Sequence, residues 1–308
     1  MNPSNPDASL PPGSQIGGYL IESVLGEGAA ATVYRAHRAE SEPTSESESA
    51  AAPVALKVLK AEGHAQPHVL ASFQFEARVL SRLDHPGILR VYEMGYDGGQ
   101  IYTAMELVDG ISLDIFLLAK QKLAQRLAIE YGRQAADALG YLHEHGYVHR
   151  DIKPANLMLT REGRVVLYDF GTVIRINDGA AYEMGLYGTP SFLAPEQIEP
   201  GRKIDGRSDL YALGMVLYLM AVGRKPFYGT RDDVLDAHVN DPPPPPSEFG
   251  RISPALEAVI LKAIAKRPED RFQSGAEFAQ ALVDIELPAA PEKPSLGQRL
   301  FGWLRSDR

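Results

Sequence analysis

Residues 149–156 read His-Arg-Asp-Ile-Lys-Pro-Ala-Asn, and thirteen positions beyond Asn156 stands Asp169-Phe170-Gly171. Asp151 can accept or orient a hydroxyl proton, and Lys153 can reach a transferring phosphate. Asn156 and Asp169 offer a neutral and an anionic oxygen to a hard cation such as Mg²⁺. Together they are the equipment for moving a phosphoryl group from a nucleotide to an alcohol. A polar capping loop explains one such motif, but not both in this order and at this spacing.

Upstream, Gly26-Glu27-Gly28-Ala29-Ala30-Ala31-Thr32-Val33 has the composition of a turn whose backbone N–H groups can approach phosphates. An ordinary hairpin turn has the same composition. Lys57 interrupts the apolar run Val54-Ala55-Leu56-Lys57-Val58. In isolation it is a strand lysine reaching for water. Held by a glutamate on a following helix, Glu76, it becomes a cation for the α- and β-phosphates.

Elements that must position these groups are legible in the pattern. Tyr19 to Leu25 and Thr32 to Ala36 flank the glycine-rich turn as a strand pair. Val54 to Val58 reads as a buried strand, and His68 to Leu83 carries helical spacing up to His85-Pro86-Gly87. Strands around Leu89 to Met94 and Gln100 to Glu106 complete a small sheet. After Asp109-Gly110 the character turns helical, with Ala124 to His143, Leu210 to Val222 and Pro254 to Lys266 as periodic segments. The expected organisation is a disordered tail at 1–18, a β-rich part at 19–108 carrying a mobile acidic insert at 39–53, a helical part at 109–287, and a tail at 288–308.

Bulk composition fits a soluble enzyme. The 308 residues exceed one typical core. A net charge of −9 argues against a nucleic-acid binder. The absence of cysteine excludes disulfides, thiolate metal sites and a cysteine nucleophile. The N-terminal stretch has no apolar run of the secretory kind. The most apolar segment, about thirteen residues from Leu210, falls short of the roughly twenty needed to span a bilayer. A cytoplasmic location is expected.

From about Tyr19 to Leu287, these motifs make the chain resemble eukaryotic-type Ser/Thr protein kinases, and bacterial members in particular. The lysine of Asp-Ile-Lys-Pro-Ala-Asn is of the Ser/Thr type, and Gly188-Thr189-Pro190-Ser191-Phe192-Leu193-Ala194-Pro195-Glu196 resembles the family's substrate-docking stretch. The resemblance implies an α+β, bilobal protein-kinase-like fold, with a small β-rich N-lobe containing one key helix and a larger helical C-lobe. It implies that Asp151, Lys153, Lys57, Glu76 and Thr189 are catalytic, with Thr189 touching Asp151 and Lys153. Asn156 and Asp169 become metal ligands. Leu25, Val33, Ala55 and Met158 should sandwich an adenine, with Met105 behind it and main-chain groups of Glu106 and Val108 at its edge. Gly26 and Gly28 belong to the phosphate loop, where Ala31 replaces an expected third glycine. Arg271 should pair with Glu196, and Asp209 should anchor the catalytic loop. The cofactors implied are ATP and Mg²⁺, with Mn²⁺ as the alternative, and the partners are proteins with Ser/Thr acceptors, the chain itself included. A nucleotide-binding pseudokinase scaffold and a small-molecule phosphotransferase are the rival readings.

Four further features call for expectations. Arg150 implies an activation segment ordered by an anion, yet Val173 to Gly188 contains no Ser or Thr, only Tyr182 and Tyr187. Asp178 or Glu183 is expected to supply the charge. His143, His145 and His149 are expected to point apart rather than share a metal. Pro242 to Pro246 reads as a stiff surface connection. The tail places Leu296, Leu300, Trp303 and Leu304 at helical spacing, which suits packing on the chain's own helices or docking to a partner better than lying on a membrane.

Overall fold

Strand-forming residues dominate the first part of the chain, and they pair as their alternation requires. The computed structural model describes residues 9–39, 52–176 and 188–287. Two compact units divide it, the first running to Asp84 and resuming at Leu89–Val108, the second taking His85–Ile88 and everything from Asp109.

In the first unit β1 (Gln15–Ile16), β2 (Tyr19–Glu27), β3 (Ala31–Arg38) and β4 (Val54–Leu59) precede α1 (Ala61–His64) and α2 (Pro67–Leu80). The strands β5 (Val91–Asp97) and β6 (Gln100–Glu106) follow. They form one antiparallel sheet in the order β1-β2-β3-β4-β6-β5. One face packs Ile21, Tyr34, Leu56, Val58, Tyr102 and Ala104 into a core. Because side chains alternate along a strand, Lys57 points to the opposite face from Leu56 and Val58. The β5–β6 hairpin turns through Gly98 (φ 56°) and Gly99 (φ 86°), positions where a Cβ would be strained. Pro67 opens α2 at a position with no need of an N–H, and Phe73, Ala77 and Leu80 form its buried stripe.

The second unit begins with β7 (Gly110–Ser112), α3 (Leu113–Lys120) and α4 (Gln125–Glu144). Short strands β8 (Tyr147–Val148), β9 (Leu157–Thr160), β10 (Val165–Leu167) and β11 (Ile174–Arg175) carry the motif loops. Then come α5 (Pro195–Ile198), α6 (Gly206–Val222), α7 (Arg231–Asn240), α8 (Pro254–Ala263) and α9 (Gly275–Val283). Helix α6 is buried along nearly its whole length, each large apolar side chain contributing about 1.5–3 kcal/mol relative to exposure. Among the described residues no helix is long and apolar enough to cross a membrane. Helices α4 and α9 approach so closely that a Cβ on Gly275 would collide with the Ala136 carbonyl and the Gly140 backbone.

Some boundaries differ from the sequence expectation for identifiable reasons. The segment expected to be helical from Pro254 to Lys266 stops at Ala263. Lys266 instead donates to the carbonyls of Ala237 and His238 at 2.7 and 2.8 Å, placing a cation at the C-terminal turn of α7. The strand expected from Leu89 starts at Val91, because Ile88 bridges to Leu167 in the second unit. The proline run is partly packed, with Tyr218 donating to the Pro244 carbonyl at 3.0 Å. Expectations for Tyr182, Tyr187, Asp178 and Glu183, for residues 40–51 of the insert at 39–53 and for the tail at 288–308 lie outside the described residues.

Candidate active site

The motif loop of the second unit hangs from one buried carboxylate. Asp209, in the first turn of α6, accepts from the His149 and Arg150 backbone N–H groups at 2.8 Å each. It also meets His143 Nε2 at 2.8 Å. Burial works against its charge, but the hydrogen bond and charge of His143, with the backbone donors, outweigh it and hold the carboxyl below its ordinary range. This anchoring lets Arg150 keep a φ of 68°, a region that few residues other than glycine adopt. Further ties run from Thr172 Oγ1 to the His149 carbonyl (2.8 Å), from Arg150 Nε to the Thr172 carbonyl (2.7 Å) and from Gln197 Nε2 to the Arg150 carbonyl (3.0 Å).

Asp151 is thereby presented beside three other predicted site residues. Its Oδ2 accepts from Lys153 Nζ at 2.5 Å and from Asn156 Nδ2 at 3.2 Å. Its Oδ1 accepts from the Thr189 N–H at 3.2 Å and Thr189 Oγ1 at 3.3 Å. Thr189 thus reaches Asp151 directly, and Lys153 meets the other oxygen of that carboxylate. Asn156 also donates to the Asp151 carbonyl at 2.8 Å. With its amide nitrogen committed, its oxygen is the atom left for a cation. Asp169 is exposed, with φ 62°, and follows directly after Tyr168, whose N–H donates to the Asn156 carbonyl. One amide and one carboxylate oxygen are the donors a hard divalent cation takes, so this pair fits such an ion.

Segment 188–196 is held from below. Glu196 and Arg271 form a buried two-pronged pair at 2.7 and 2.8 Å, and Ser208 Oγ adds a 2.6 Å bond to the same carboxylate. Arg271 spends its remaining donors on the carbonyls of Ala265, Arg207 and Lys266. Such a pair is stable only with every donor used, and losing one partner costs about 3–5 kcal/mol.

In the first unit Lys57 Nζ lies 2.8 and 2.7 Å from the two oxygens of Glu76 on α2. Register pairs Lys57 with Val33 and Ala55 with Met105, so Val33, Ala55, Lys57 and Met105 share one sheet face. Leu25 sits exposed at a bulge of β2. Gly26 pairs with Val33, and the Gly28 N–H closes the turn onto the Ala31 carbonyl at 2.9 Å. Ala31, standing where a third glycine was expected, packs its methyl with Leu59 and Phe73. Glu106 ends β6 with its N–H donated to the Arg90 carbonyl at 2.9 Å, and Val108 closes the unit. Met158 belongs to the second unit, on β9 opposite Ser112 and Val166.

Sequence reasoning missed His143 as a partner of Asp209, Ser208 as a partner of Glu196, and the Thr172 and Gln197 ties. Single polar residues 66 and 12 positions from their partners leave no periodic signal. The three histidines diverge: His143 goes to Asp209, His145 to the Tyr141 carbonyl, and His149 packs its ring against Phe170, tilted by 59° with centroids 4.8 Å apart.

The structure thus pairs Lys57 with Glu76, holds Asp151 between Lys153, Asn156 and Thr189, and tethers segment 188–196 through Glu196 and Arg271. The chain belongs to the protein kinase domain family, which it matches over residues 19–283, and members of that family use ATP and a divalent metal. It is 38% identical over 252 residues to the serine/threonine-protein kinase PknB of Mycobacterium tuberculosis, covering 79% of this chain and 40% of that protein. PknB of Mycolicibacterium smegmatis matches to the same extent. Serine/threonine-protein kinase PknJ of Mycobacterium bovis is 39% identical over 281 residues, covering 88% of this chain and 46% of that protein. The chain therefore spans less than half the length of these relatives.

Proposed function

We propose that this chain is a protein serine/threonine kinase, transferring the γ-phosphoryl group of ATP to hydroxyls of proteins, itself included. The observation that carries the reading is the Asp151 carboxylate, held between Lys153 and Asn156 on one oxygen and Thr189 on the other. Asp151 takes or orients the acceptor proton, and Lys153 meets negative charge on the moving group. Lys57, steadied by Glu76, binds the nucleotide phosphates. Asn156 and Asp169 hold the divalent ion, which when bound neutralises phosphate charge. Mg²⁺ is the ion of this reading, since few protein oxygens leave it room for waters and phosphate oxygens; Mn²⁺ is the alternative. Positioning rather than covalent chemistry supplies the rate. A cytoplasmic setting is supported by the cysteine-free composition.

Transfer of labelled γ-phosphate from ATP to a Ser/Thr peptide library tests this. Wild type should label peptides, and Asp151→Asn should be slower by about 10²–10⁴-fold, the usual worth of a positioned acid or base. Nucleotide binding without transfer in wild type would point to a scaffold, and transfer confined to small alcohols would point to a small-molecule phosphotransferase.

A further inference from the structure

Two residues past Thr189 stands Ser191, and its hydroxyl accepts from Lys225 Nζ at 2.8 Å. Lys225 lies in the loop between α6 and α7, and that loop is held firmly. Its backbone N–H donates to Tyr228 Oη at 3.1 Å. The neighbouring Arg224 guanidinium stacks 3.9 Å from the Phe249 ring centroid and 5.1 Å from that of Tyr228. Pro226 and Phe227 are buried behind it.

Several of the other charges around this loop have partners among the described residues. Lys266 is committed to carbonyls of α7 and the Phe227 ring, while the Arg224 guanidinium lies over its two rings with Nε buried and without a hydrogen-bond partner among the described residues. Glu196 belongs to Arg271, Asp233 to Thr230 and Asp236 to Asn240. Lys225 is bonded instead to segment 188–196, and its ammonium's only described partner there is a neutral hydroxyl, which cannot balance its charge. An ammonium carries three donors, and two of them find no partner among the described residues. The cation is half-buried, where a balancing anion is worth more than at a fully exposed site.

An acceptor hydroxyl must come to Asp151, against which Thr189 already rests. Two residues of extended chain cover at most about 7 Å. Ser191 and the Lys225 ammonium bonded to it are therefore within reach of peptide residues close to an acceptor at Asp151.

We propose that Lys225 is a specificity-determining residue that selects an acidic side chain within three positions of the acceptor hydroxyl. This rests on the kinase reading above. Ser191 orients the ammonium, and the substrate carboxylate completes its hydrogen bonds.

The test is a positional peptide series carrying Asp, Ala or Lys at each of three places on either side of one Ser acceptor. The wild-type chain, Lys225→Met, Lys225→Arg and Lys225→Glu are compared at low and high salt. At one position wild type should favour Asp over Ala roughly fivefold in kcat/KM, carried by KM, as an ion pair near 1 kcal/mol gives. Salt should erode that ratio. Lys225→Arg should keep it, Lys225→Met should bring it to about one, and Lys225→Glu should turn it toward Lys, which a folding defect cannot do. A flat wild-type profile, or an Asp preference intact in Lys225→Met, overturns the selectivity alone. Absence of transfer to any peptide overturns the kinase reading and the selectivity with it.

Discussion

Asp151 receives four donors on its two oxygens, and they differ in how replaceable they are. Lys153 and Asn156 come from the same eight-residue loop, so any fold that forms the loop brings them close. That local origin is why the cluster was legible from spacing. Lys57 and Glu76 lie 19 positions apart and needed a strand and a helix to be read correctly before they could be paired. The support beneath, His143 on Asp209 and Ser208 on Glu196, was not legible, because one histidine or serine among many carries no pattern. Thr189 offers the cleanest test at this scale. Thr189→Val removes its hydroxyl but leaves its backbone N–H on Oδ1, so part of the contact survives. A hydrogen bond to a charged group is worth about 1.5–3 kcal/mol, and losing part of it should lower kcat by about tenfold. Thr189→Ser should restore most of the rate. Steady-state kinetics on one peptide would check this, and equal loss in both variants would show that the hydroxyl is not what matters.

Elements were easier to foresee in kind than in extent. Apolar periodicity announced α4, α6 and α8, since burial of one stripe, or of all sides for α6, dictates the composition. It could not announce where α8 ends, because that is decided by Lys266 reaching α7. The same junction contains a pH-sensitive group. His238 is buried in α7 with Nδ1 2.8 Å from Tyr211 Oη. Burial, then the charge of Lys266, push its pKa down to about 4 against the opposing pull of the Ser191 and Pro190 backbone. The unfolded chain, with an ordinary histidine near 6.5, binds the proton more readily than the folded one. The stabilisation is therefore complete above about pH 6.5 and is lost as pH falls toward 4, by about 3 kcal/mol in all. Asp209, held low, loses its contribution only below the ordinary carboxylate range, so the two windows separate. Urea unfolding at pH 7, 5.5 and 4.5 should show the decline in wild type and a shallower one in His238→Asn. The same slope in both would assign the acid sensitivity elsewhere.

At the scale of the whole molecule, the proposed function asks an acidic chain of net charge −9 to bind a polyanion, so local cations would have to outweigh the overall field. Metal-ligand function can be tested here without measuring transfer at all. A ligand that binds only the folded chain stabilises it by RT ln(1 + [L]/Kd), about 2.7 kcal/mol at a hundredfold excess over Kd. In a chain of this size each kcal/mol raises Tm by about 2–4 °C. ATP with Mg²⁺ should therefore lift the melting temperature by about 5–10 °C, and chelation should remove the metal-dependent part. Asp169→Asn isolates the ligand charge. The substitution keeps side-chain size, Asp169 has no described hydrogen bond to lose, and asparagine tolerates its φ of 62° as well as aspartate does. The variant should melt close to wild type when unliganded and respond to ATP alone as wild type does. The further rise on adding Mg²⁺ should largely disappear. Wild-type and variant curves that climb equally with the metal would remove Asp169 from the ligand set, and the phosphate-neutralising half of the proposed chemistry would have to be found elsewhere.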